Sequence, residues 1–180
     1  MRDIDRPDWA DNPRLRAWLD AQSDAFPRWS IDQGGGWDFS ADTVSFIEAL
    51  YRSRYAECEE DHEHLDPAFT DVCAWYFGEI LVRHCGLQWR CAPQEPTTPL
   101  PTVQAGHPVL YAARSSVPAA ALELLDADEG AGGDDDGIPW WPLIDPASVL
   151  RATATGEMEW CLTDLLEACE KFNEWCKSVG

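Results

Sequence analysis

Apolar residues recur along much of this chain at intervals of three and four, the period of a helix with one buried face. Asn12 followed by Pro13 forms an N-cap and first-turn pair. Leu15, Trp18, Leu19 and Phe26 then fall on one stripe, which Pro27 is expected to end. Gly34 to Gly36 break the chain. Ser40 can cap a second helix whose buried face is Val44, Ile47, Leu50, Tyr51 and Tyr55, with Phe39 and Val44 spaced as a hydrophobic staple. Asp66 and Pro67 repeat the cap-and-proline start. The following run Phe69, Val72, Cys73, Tyr76 and Ile80 is apolar around much of a helix, which marks residues 67–85 as the central one. Arg83 and His84 complement the dipole of its last turn, and Gly86 supplies the residue just past its end.

The period then changes from helical to alternating. Leu87, Trp89 and Cys91 alternate with Gln88 and Arg90, as in a strand with one buried face. Four prolines between Pro93 and Pro101 predict an irregular excursion, after which Val109 to Tyr111 return as a second strand. A short helix spans Ser116 to Leu125, Asp145 and Pro146 start another turn, and a long final helix carries Met158, Cys161, Leu162, Leu165, Cys169, Phe172 and Cys176. The fold predicted is α+β and mainly helical, with three or more long helices packed beside a small sheet. Residues 1–180 read as a single domain containing a flexible acidic Gly/Asp loop at 126–139.

Charge narrows the choice of partner. The formal net charge is −20, so repulsion disfavours nucleic acid and anionic membrane surfaces and favours a basic protein. No basic residue lies between Arg114 and Arg151. The ten residues from Glu57 to Asp66 include six acids, which should keep them solvated as a loop. Seven cysteines, an odd number, together with no apolar leader and no membrane-length apolar stretch, point to reduced thiols and a cytoplasmic protein.

Candidate chemistry is sparse. No nucleophile-elbow, Walker or dinucleotide-binding motif is present, and no cofactor is expected. Cys58, His62 and His64 are the residue types that hold zinc or nickel, but a C-x3-H-x-H spacing matches no established signature and the surrounding carboxylates read as a solvated loop. Asp134 to Gly137 contain part of a calcium-loop pattern, yet the first and last ligand positions fall on Gly132 and Leu143. Cys161, Cys169 and Cys176 share a helix side with core residues, which accounts for them as packing.

Three places remain. Gly78 sits inside the central helix, where it costs about 1 kcal/mol relative to alanine, so a second helix crossing closely over it is expected. Its neighbours Glu79 and Arg83, with Trp75 and Trp89, are candidates for lining a pocket. The same stretch resembles small uncharacterised bacterial proteins that carry a helix-to-strand pattern G-E-x-L-x-R-x-x-G-x-x-W, here Gly78, Glu79, Leu81, Arg83, Gly86 and Trp89. That resemblance implies the helix–glycine–strand unit and no activity. Trp140 and Trp141 are adjacent, cannot easily share one buried face, and make one of the pair a candidate contact residue. Together these features predict a non-catalytic acidic binding protein that recognises a basic partner protein, as immunity or antitoxin-type proteins do. The alternative is a small-molecule-binding protein or enzyme with a pocket near the helix at 67–85.

Overall fold

A computed structural model describes residues 3–60, 65–94, 107–128 and 138–180. The fold is α+β and mainly helical, with long helices packed around a small antiparallel sheet. After a short helix α1 (Pro7–Ala10), α2 runs from Pro13 to Asp32. Asn12 caps α2 through Oδ1, which accepts from the Leu15 N–H at 2.9 Å. Its Nδ2 donates to the carbonyls of Asp8 and Cys91, tying the start of the helix to the sheet. Pro27 does not end α2. Pro27 is exposed, so water can serve the carbonyl it leaves unpaired, while buried Trp29, three residues beyond the stripe, stacks on Phe26 and holds the next turn in place.

A single 3-10 turn at Ala41–Thr43 leads into α3 (Val44–Glu60). Ser40 stands at the N-cap of that turn, without a side-chain cap bond. Helix α3 continues through Glu57, Cys58 and Glu59, so the acidic stretch begins as helix rather than loop. Exposed carboxylates on a solvated face repel weakly, and Arg54 pairs with Glu57 at 3.2 Å. The central helix α4 (Pro67–Cys85) has the expected ends. Asp66 Oδ1 accepts from the Ala68 N–H at 2.9 Å, and Gly86 adopts φ 66°, where glycine is favoured. Asn173 Nδ2 donates to the Cys85 carbonyl at 2.6 Å, satisfying a helix-end acceptor from another element. Tyr76, Phe77, Ile80 and Leu81 are completely buried where α4 meets α2, α3, α6 and α7.

Strands β1 (Gln88–Arg90), β2 (Val109–Tyr111) and β3 (Leu143–Ile144) form an antiparallel sheet in that order, with Trp89 opposite Leu110 and Leu110 opposite Ile144. Every residue of β2 is buried, because the helical core covers one face while Ile4 and Trp9 pack on the other with Val109, Tyr111, Trp141 and Leu143. That second cover also removes Arg90 from solvent, against the alternation of β1.

Helix α5 (Ala119–Asp128) takes in the first three residues of the expected acidic loop, where Asp126 pairs with Arg114; residues 129–137 lie outside the described residues. Helix α6 (Pro146–Thr155) is a full ten residues long. Helix α7 (Leu162–Val179) starts later than the stripe beginning at Met158 predicts. Cys161 is its N-cap and hydrogen-bonds Asp164, and the Leu162 N–H donates at 2.6 Å to Oε2 of buried Glu48, whose Oε1 pairs with Arg52 at 2.8 Å. An acidic side chain from α3 thus fixes where α7 begins, a long-range cause that no local pattern carries. Among the described residues no helix is long and apolar enough to cross a membrane.

Candidate functional site

The central helix places Gly78 directly under an aromatic ring. A Cβ at Gly78 would lie 2.2 Å from Cζ2 of Trp89, so the element crossing this glycine is the indole of β1 and not a second helix. Trp89 Nε1 donates to Glu79 Oε1 at 3.0 Å, and Trp18 meets the same ring edge-on at 5.2 Å. Arg83 lies 3.8 Å from the other Glu79 oxygen and places its guanidinium 3.7 Å over the ring centre of Phe39. Trp75 is buried between Phe26 and Phe39. Glu79, Arg83, Trp75 and Trp89 are therefore held by one another and by the core: glycine makes room, the carboxylate orients the indole, and the sheet locks onto α4.

Cys58 is a half-buried free thiol on α3; His62 and His64 lie outside the described residues. All seven cysteines are free. Burial raises the Cys73 thiol well above its ordinary value, and Cys169 is raised first by its hydrogen bond with Cys85 and then by burial, which leaves both protonated and inert as nucleophiles.

The two adjacent indoles separate. Trp141 stacks on Tyr111 and meets Phe172, with Arg114 over its ring, whereas Trp140 is 48% exposed. Trp140 shares an open groove of about 250 Å³ with Trp160, which is 54% exposed, and with Met158, Val149 and Leu165. Buried Asp145 forms part of this wall, but its oxygens are engaged by the Ala147 and Ser148 N–H groups and the Ser148 hydroxyl. In sequence, Glu157 and Glu159 stand on either side of Met158, and Asp164, Glu167, Glu170 and Glu174 recur at helical spacing along α7. Trp160 escapes a reading by periodicity because the apolar stripe reaches back over Cys161 to Met158, whereas α7 itself begins at Leu162 and leaves Trp160 ahead of the helix.

Between α3 and α4, Tyr51, Tyr55, Thr70 and Asp71 line a polar cleft of about 400 Å³ with His107 and Arg151. Tyr51 and Thr70 hydroxyls lie 3.2 Å apart, and His107 Nδ1 lies 3.8 Å from Asp71 Oδ1. Burial raises the Asp71 carboxyl above its ordinary value, against the opposing pull of His107, Arg151 and the Trp18 N–H. These residues come from four separate stretches of chain; periodicity marked Tyr51 and Tyr55 as the buried face of α3, and no local pattern marked any of them as a site.

No protein-family model, no curated protein and no solved structure matches this chain.

Proposed function

We propose that this protein is a non-catalytic binding protein whose groove between Trp140 and Trp160 receives an apolar side chain from a basic partner protein, in the manner of immunity or antitoxin proteins. Two half-exposed indoles lining one apolar groove support this reading, since water-exposed tryptophans are costly and are concentrated where partners bind. Charge selects the partner. A chain of net charge −20, with Glu157 and Glu159 adjoining groove residue Met158 in sequence, attracts Lys/Arg-rich surfaces and repels acidic ones.

The test is a titration with three synthetic peptides of equal length: Lys/Leu, Lys/Gly and Glu/Leu. The Lys/Leu peptide is expected to bind and to weaken as salt shortens the screening length to about 8 Å at physiological ionic strength. Replacing both Trp140 and Trp160 with alanine should weaken it by about 2 kcal/mol, roughly thirtyfold, with little change in folding stability. Equal binding of the Lys/Gly peptide, or an unchanged affinity in the double variant, would remove the groove from the account.

The cleft at Asp71 supports a second reading, a small-molecule-binding protein or enzyme with its pocket against α4. A half-buried carboxylate facing an imidazole, a guanidinium and two phenols is the arrangement in which binding and proton-transfer groups are found. In carbon-detected NMR titrations the Asp71 carboxyl should titrate above a free aspartate, and higher again in Arg151→Gln, because a cation that favours its charged form is gone. Because its folded pKa is raised, Asp71 favours folding less as pH rises from the unfolded value through the folded one. A carboxyl that titrates normally in both proteins would mean the cleft is merely solvated surface.

A further inference from the structure

Arg90 is 7% exposed, in a chain where acids outnumber bases. Its Nη2 donates to the neutral Gln88 Oε1 at 2.9 Å, its buried Nε has no hydrogen-bond partner, and it forms no ion pair among the described residues. A guanidinium taken out of water without a carboxylate is costly, and proteins rarely keep one unless something else meets the charge. Asp5, the acid that lines the same pocket, forms no hydrogen bond with Arg90: Oδ1 accepts from the Tyr111 hydroxyl at 2.9 Å, and Oδ2 is buried without a hydrogen-bond partner.

Arg90 and Asp5 line a pocket of about 310 Å³ with Ala113, Arg114 and Ser115. Arg114 comes from the turn after β2, stands partly exposed and is ion-paired with Asp126. Arg90, Arg114 and Ser115 thus line one concave site with Asp5, and since Asp126 already pairs with Arg114, the donor left unmet there is the buried Arg90 Nε. In so acidic a protein, a concave site lined by two guanidiniums is the opposite of what composition alone would place there.

We propose that this pocket binds the oxyanion group of a small molecule, a carboxylate or a phosphate, with Arg90 as the buried anchor and Arg114 at the mouth. Arginine suits this role because its planar fork presents parallel N–H donors to two oxygens of one anion. The site is separate from the tryptophan groove and does not depend on it.

Isothermal titration calorimetry of the intact protein with inorganic phosphate and with succinate, at matched ionic strength against sodium chloride, tests the assignment and separates the two oxyanions. Binding of either one, weakened about tenfold or more in Arg114→Gln and lost in Arg90→Met, is the expected result. Without ligand, Arg90→Met should unfold at the same or a higher urea concentration than the parent, because an uncompensated buried charge has been replaced by an apolar chain of similar length. A structural arginine would behave oppositely, with Arg90→Met clearly less stable and no heat from either anion in the parent. The absence of binding by both phosphate and succinate overturns the proposal, as does binding that Arg114→Gln leaves unchanged.

Discussion

Gly78→Ala should lower stability by about 3 kcal/mol while Trp89 is present, and raise it by about 1 kcal/mol once Trp89 has been replaced by alanine. The added methyl would stand 2.2 Å from the indole, a rigid ring pinned by Glu79 and Trp18, so neither partner can step aside cheaply. Removing the ring abolishes the clash and leaves only the helix preference of alanine over glycine. Urea unfolding of the four proteins in this cycle reads the sign directly. Equal effects of Gly78→Ala in both backgrounds would mean that the glycine serves something other than the indole.

Phe39→Ala should cost about 3 kcal/mol by the same measurement. Its ring lies 5.1 Å from Phe26 and 4.8 Å from Tyr76, centre to centre, and carries the Arg83 guanidinium on its face. The backbone is held at φ 62°, where an L side chain is strained by about 1–2 kcal/mol. Two bonds keep it there: the Phe39 N–H donates to the Tyr76 hydroxyl at 3.2 Å, and the Phe39 carbonyl accepts from His84 Nε2 at 3.0 Å. Phe39→Gly relieves that strain at an entropic cost of about 0.5–1 kcal/mol, so it should be slightly less damaging than Phe39→Ala. If alanine proves the better replacement, the left-handed backbone at this position is not being imposed by its two partners.

Helix periodicity carried much of the architecture into the sequence. The start of α2 at Asn12, both ends of α4, and β1 and β2 follow from caps, a glycine and a change of period, all signals within a few residues of the feature they set. What escaped depends on partners far away in the chain. Pro27 is tolerated because Trp29 finds an aromatic cluster built from Trp37 and Tyr76. The start of α7 waits for Glu48, and the two-residue β3 exists only as the partner of β2. Gly78 announced a close approach but not what approached, since a glycine leaves the same space for a helix or for an indole. Of the candidate site, Trp140 was legible as one of two adjacent indoles that would have to part, whereas Trp160 and the Asp71 cleft needed the fold. Arg90 was hidden by its own strand, because alternation puts it toward solvent and only the N-terminal segment covers that face.

The claim on which the functional account rests is that Trp140 and Trp160 meet the partner. With all ten tryptophans replaced by 5-fluorotryptophan, each indole gives its own fluorine signal during a titration with the Lys/Leu peptide. The account predicts that the signals of Trp140 and Trp160, assigned by single replacement, move furthest and together, while those of buried Trp29 and Trp89 stay in place. Movement elsewhere with these two at rest would contradict it.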